Sequence, residues 1–148
     1  MTKSFESAVR LLARREHGAH ELAQKLLQKK HPEVEIQEAI SECQRLGLQS
    51  DARFVDSLCR ARIRQGHGPA RIRQDLHNVR IDRDLMEQAL DAERDNWVSY
   101  ARDVWIKKYG DQEVTSFAAT QKQKQFLLYR GFSVDTINTV FKEFGPMA

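Results

Sequence analysis

The sequence predicts an all-α fold: an elongated, curved array of three tandem three-helix repeats, about nine helices in all. Three observations lead there. Apolar residues recur at i, i+3 and i+4 almost throughout, and no stretch alternates apolar and polar residues as a half-buried strand would. Glycines and prolines fall between the periodic segments rather than inside them. Finally, the order of breaks and apolar positions recurs at an offset of 50 residues: Gly18-Ala19 meets Gly68-Pro69, Leu22 meets Ile72, and Leu26 meets Leu76. A period of 45 to 50 residues is the mark of stacked supersecondary units that bury their apolar faces partly against neighbours.

The repeats are expected at 1–50, 51–95 and 96–148. In the first, Phe5, Ala8, Val9, Leu12 and Ala13 share one helix face that ends before Gly18. Leu22, Leu26 and Leu27 mark a second helix, which ends near His31-Pro32. Ile36, Ala39, Ile40 and Cys43 mark a third, closed by Gly47, with Pro32 placed at its first helical position because proline lacks the N–H that would go unpaired there. The second repeat has the same grammar. Asp51 is expected to cap a helix carrying Phe54, Val55, Leu58 and Cys59. Gly66 and Gly68 interrupt, and Pro69 starts a helix with Ile72, Leu76 and Val79. Asp82 then caps one holding Leu85, Met86, Ala89 and Leu90. In the third repeat, Trp97, Tyr100, Ala101, Val104 and Trp105 form the cleanest stripe in the chain, ending at Gly110. The polar stretch DQEVTS leads into a helix with Ala118, Phe126 and Leu127, stopped by Gly131. Ser133 caps a last helix bearing Ile137, Val140, Phe141 and Phe144.

Composition narrows the class. Charged residues make up 30% and hydrophobic residues 41% of 148, with seven Gly and three Pro, which is globular rather than disordered composition. No apolar run is long enough to span a bilayer, and the N-terminus lacks the apolar core of a secretory signal. Cys43 and Cys59 are the only cysteines, both on apolar faces, so a reducing cytoplasm is the expected location. No metal site is expected, because His17, His20, Cys43 and Cys59 lack ligand spacing. No cofactor or catalytic group is expected either. GHGP lacks the preceding strand and following Lys-Ser/Thr of a phosphate loop, no HExxH occurs, and no nucleophile has a base at useful spacing. The chain reads as a binding module, with a monomer as its expected state.

The remaining signal is positive charge. The stretch RARIRQGHGPARIRQDL (60–76) holds Arg60, Arg62, Arg64, Arg71 and Arg73 before its first acid, Asp75. Net charge is only +3, and basic and acidic residues number 8 and 7 in repeat one, 9 and 9 in repeat two, 7 and 5 in repeat three. Any basic face must therefore come from local clustering. Arg10, Arg14 and Arg15 lie on the polar side of the first helix, and Lys122, Lys124 and Arg130 on that of the eighth. Lys107 and Lys108 are explained by the seventh helix's C-terminus, where cations are favoured. Gly66, Gly68 and Pro69 are the expected joint that turns the arginines toward one acidic surface, either protein carboxylates or DNA phosphate.

LLARREHGAHELAQKLLQKK (11–30), LGLQSDARFVDSLCRARIRQGHGPARIRQDL (46–76) and KQKQFLLYRGFSVDTINTVF (122–141) together resemble the signature segments of the RecX family, bacterial regulators of the RecA recombinase. The likeness runs from about residue 4 to 144. It departs at Ser50-Asp51, where many relatives carry two acids. The resemblance implies an all-helical regulator without chemistry of its own. Such a protein binds RecA and its filament on single-stranded DNA in the filament groove, inhibits ATP hydrolysis, strand exchange and co-protease activity, and in some members binds DNA directly. Two alternatives from other classes stand beside it: a direct DNA-binding helical protein, and a helical scaffold for another partner.

Overall fold

The computed structural model describes residues 2–110 and 116–145, and these contain nine α-helices and one 3-10 turn, with no strand among the described residues. They are α1 (Lys3–Arg14), α2 (Ala19–Gln28), α3 (Glu33–Arg45), α4 (Asp51–Arg64), α5 (Pro69–Asn78), α6 (Arg83–Ala92), the 3-10 turn Arg94–Asn96, α7 (Trp97–Tyr109), α8 (Phe117–Tyr129) and α9 (Val134–Phe144). The all-α fold read from periodicity is the fold observed. Most of the polar stretch expected before α8, residues 111–115, lies outside the described residues.

Local chemistry sets the helix ends. Thr2, Ser116 and Ser133 each cap a helix by accepting a backbone N–H three residues on, and Asp82 does the same for α6 through Leu85 N–H. At the C-termini one motif recurs. Beyond α2, α3, α4, α5 and α8 stand Lys30, Gly47, Gly66, Arg80 and Gly131, all with positive φ, and each is followed by an N–H that reaches back to the last turn. His31 donates to the Leu26 carbonyl, Leu48 to Cys43, His67 to Arg62, Ile81 to Leu76 and Phe132 to Leu127. This arrangement satisfies carbonyls that the helix leaves unpaired. Lys30 and Arg80 are side-chain-bearing residues in a region that favours glycine, and they sit 50 residues apart. The period therefore extends to an unusual backbone conformation, not only to apolar spacing.

By packing, the chain divides into two units: residues 1–58 with 76–86, and residues 59–75 with 87–148. The first is built on α1, α2 and α3, where Ala8, Leu11, Leu22, Leu26, Ile36, Ile40 and Cys43 form a buried cluster flanked by Phe5, Val9 and Leu12. The α1 face is rotated from its expected centre. Ser4, Ser7, Ala8 and Leu11 are the buried positions, whereas Ala13 is exposed. The reason is that Ser4 brings its own partners, since its hydroxyl bonds His31 Nδ1 at 2.9 Å and donates to Glu35 at 3.1 Å. A small hydroxyl with both roles satisfied is tolerated inside. Leu27, expected inside with Leu22 and Leu26, is 46% exposed.

In the second unit α7 packs on α8 and α9. Trp97, Ala101, Leu127, Phe132, Ile137 and Val140 are buried there, and Trp105 lies against Phe141 with ring centroids 5.1 Å apart. The Trp105 indole N–H donates to the buried Gln123 amide oxygen at 2.7 Å, which explains a glutamine on an inward face. Phe144, expected inside, is 42% exposed and lies under the Arg102 guanidinium at 5.0 Å.

Two sequence-based expectations about caps need correction. Pro32 is the N-cap of α3, in extended conformation, rather than its first helical residue. Asp51 does not cap its own helix: the Ser50 hydroxyl accepts the Arg53 N–H, and Asp51 turns elsewhere. Its Oδ1 accepts the Ala19 N–H at 2.8 Å and the Gln49 amide at 2.9 Å. Asp51 thus caps α2, whose own N-cap, Gly18, has no side chain to offer. A carboxylate there also meets the positive end of the α2 dipole.

Candidate partner-binding cleft

The expected joint at Gly66, Gly68 and Pro69 is present, and its geometry explains each residue. Gly66 ends α4 with φ +85°, a conformation that a side chain would strain. Pro69 opens α5, where its missing N–H costs nothing. Gly68 donates to the Arg130 carbonyl at 2.7 Å and Ala70 to Gly131 at 3.0 Å. The approach is so close that a Cβ on Gly68 would stand 2.5 Å from the Gly131 carbonyl carbon and oxygen. The end of α8 therefore caps the start of α5, backbone to backbone.

Around this joint the cations divide. Arg62 pairs with Asp75 at 2.7 Å, and Arg73 with Glu87 at 2.8 Å. The acid-free run in sequence is not acid-free in space, because the partners come from 13 and 14 residues further on. Arg130 braces the joint by donating to the Gln65 carbonyl at 3.0 Å and lying over the Phe126 ring at 5.1 Å. Arg64 and Arg71 are exposed, and among the described residues neither enters an ion pair. Arg60 is exposed on the same helix as Arg64, one turn earlier. On α8, Lys124 lies over the Phe141 ring at 5.4 Å, 3.5 Å from the Asn138 amide oxygen, and Lys122 is exposed.

His67 sits among these cations. Its Nδ1 is buried and has no hydrogen-bond partner among the described residues. Burial is the main cause that pushes its pKa below the usual value, with Arg71, Arg130 and Arg62 adding to it against Asp75. His67 is therefore uncharged at neutral pH, and the positive charge belongs to the arginines.

An open cleft of about 470 Å³ lies beside the joint. It is lined by Ile63, Gly66, Tyr100, Val104 and Phe126, by the cations Arg64, Lys107, Lys108 and Arg130, and by Asp103. Lys107 and Lys108, which the α7 C-terminus accounts for in the sequence, also line this cleft. The cleft draws on α4, α7 and α8, and no local pattern brings those together. The lysine doublet was its one visible signal.

The first unit differs. Arg15 there pairs with Glu21 at 2.6 Å and Arg53 with Glu16 at 2.9 Å, while Arg10 and Arg14 are exposed. That unit holds 11 basic and 11 acidic residues, against 13 and 10 in the second, so the whole net charge of +3 resides in the second unit. Among the described residues no group of three or more His, Cys, Asp or Glu could hold a metal, and no helix is long and apolar enough to cross a membrane.

The fold is all-helical, nine helices in succession among the described residues. Comparison with known proteins gives the family. Models of the first, second and third three-helix domains of RecX match residues 5–43, 50–90 and 98–141. The regulatory protein RecX of Legionella pneumophila (strain Corby) is 54% identical over 143 residues, covering 97% of this chain and 95% of that protein. That of Pseudomonas entomophila (strain L48) is 39% identical over 131 residues, covering 88% and 84%. Among solved structures, RecX from Lactobacillus salivarius superposes with a TM-score of 0.80 at 27% identity, covering 95% of this chain and 94% of that one. The chain belongs to the RecX family, whose named members are regulatory proteins.

Proposed function

We propose that this chain regulates the RecA recombinase: it binds RecA and seats in the groove of the RecA filament on single-stranded DNA. The consequence is inhibition of ATP hydrolysis, strand exchange and co-protease activity. The chain acts as a cytoplasmic monomer, through three tandem repeats at 1–50, 51–95 and 96–148, and without a cofactor. The observation that carries this reading is near full-length similarity to regulatory RecX proteins. What supports it in the geometry is that Arg64 and Arg71 of the second unit are exposed, and that Arg64 lines a cleft together with Lys107, Lys108 and Arg130. Weak contacts to several protomers add through effective concentration, so affinity for the assembled filament exceeds affinity for a free subunit.

The test is RecA ATPase on single-stranded DNA across a salt series, with affinities measured for free and filamentous RecA. Inhibition with much tighter binding to the filament is expected. Equal affinity for both removes the bridging mechanism. No effect on ATPase, with tight binding to bare DNA and a log–log salt slope near about −0.7 per phosphate contact, would make the chain a DNA-binding protein instead.

A further inference from the structure

The cleft between the end of α4, the outer face of α7 and α8 combines two chemistries. Its cations would stabilise an anionic ligand, while Ile63, Val104 and Phe126 give it an apolar lining. Four of the lining side chains, Ile63, Tyr100, Val104 and Phe126, are only half-buried, so part of their surface faces the opening. Gly66 keeps the α4 side of the cleft open: a Cβ there would touch Val104 at 3.3 Å and the Arg130 guanidinium at 3.3 Å.

The aromatic rings bear on what enters. Phe126 carries Lys108 over its ring at 5.5 Å and Arg130 at 5.1 Å, with Tyr109 edge-on at 5.6 Å. Tyr100 is met edge-on by Trp97 at 5.7 Å and gives its hydroxyl to Glu93. A base stacking on Phe126 would compete with the cations already lying over that ring. An apolar lining among cations suits a peptide better, one that places a large apolar side chain inside and carboxylates outside.

The geometry points to this cleft as a docking site for an acidic segment of a partner protein that carries one large apolar side chain. Lys107, Lys108 and Arg64 receive its carboxylates, and Ile63 and Val104 receive the apolar anchor. Identifying that partner as RecA rests on the function proposed above; the chemistry of the cleft does not.

The probe is a short fluorescein-labelled peptide of aspartate and glutamate with one central phenylalanine, followed by anisotropy against the full chain. The comparators are the same peptide with alanine at its centre and labelled oligo-dT. The phenylalanine peptide should bind about tenfold tighter than its alanine counterpart, as burial of one aromatic side chain allows. K107E/K108E should abolish that binding, and K142E, a charge reversal on exposed α9, should leave it unchanged. Equal binding of both peptides overturns the proposal, as does oligo-dT displacing the peptide with the same dependence on Lys107 and Lys108. If K107E/K108E loses the peptide yet inhibits RecA fully, RecA is not the owner of the segment. If the wild type binds the peptide but never affects RecA, the cleft stands and the RecA reading falls.

Discussion

His17-Gly18 and His67-Gly68 are 50 residues apart, and each precedes a second helix. They close in different ways. At the first, side chains do the work. Asp51 caps Ala19, Gln49 donates to the His17 carbonyl at 3.1 Å, and both His17 nitrogens are used. Lys25 can only donate, so His17 Nε2 accepts from it at 2.9 Å, and Nδ1 therefore carries the proton to the Arg15 carbonyl at 3.0 Å. At the second joint backbone meets backbone, Gly68 and Ala70 on Arg130 and Gly131, and His67 Nδ1 is left without a partner. The first joint spends its polar groups on the fold. The second is closed by backbone carbonyls, and Arg64 and Arg71 near it remain exposed.

The largest way to break this comparison is a methyl group. G68A puts a Cβ into the Gly131 carbonyl, where no side chain can move aside, and should cost about 3 kcal/mol or more in urea unfolding. G18A meets only side chains, the Phe54 ring at 3.2 Å and Ile81 at 3.5 Å, and should cost about 1 kcal/mol. Equal costs would mean that the joints are closed alike. Next in size, D51A removes the α2 cap and one acceptor of the Gln49 amide, so a loss of about 1–2 kcal/mol is expected. D82A, an exposed cap on α6, should lose about 1 kcal/mol or less.

Histidine titration sharpens the contrast. Burial is the first cause that holds His17 below its usual pKa of 6.5, with Arg15 and Lys25 adding to it against the Arg15 carbonyl bond. His67 is lowered too. For both, the unfolded chain binds the proton more readily than the folded one. Stability is therefore fully present above pH 6.5 and falls as pH drops below it toward the folded pKa values. The slope is at most about 1.4 kcal/mol per pH unit per histidine. Urea midpoints between pH 7.5 and 5.5 should fall for wild type, fall less for H17Q or H67Q, and least for the double variant. A wild-type midpoint that rises on acidification would refute this. Smallest of all, R73A breaks a pair in which both partners are 45% exposed and should cost under about 1 kcal/mol.

The sequence disclosed what local chemistry controls. Pro69, Ser133, Asp82 and the glycines at 47, 66 and 131 act on neighbours within a turn, so the helix ends they set were readable, whereas α1 stops at Arg14 and α2 at Gln28, short of the expected Gly18 and His31-Pro32. Asp51 was misread because its partner lies 32 residues away, while Ser50, beside it, took the local role. Arginine pairing was hidden for the same reason. Charge along a chain does not tell which acid a guanidinium meets after folding, and Asp75 and Glu87 became partners only once the helices packed. The cleft was least legible, since it joins residues from 63 to 130.

The central claim is that the second unit's exposed cations serve a partner rather than the fold. The direct measurement is the concentration of R64E/R71E needed to half-inhibit RecA ATPase on single-stranded DNA, beside its urea midpoint. The account predicts at least about a tenfold higher concentration, as loss of one or two charge-assisted contacts implies, with the midpoint unchanged. Inhibition equal to wild type by a stably folded R64E/R71E protein would contradict it.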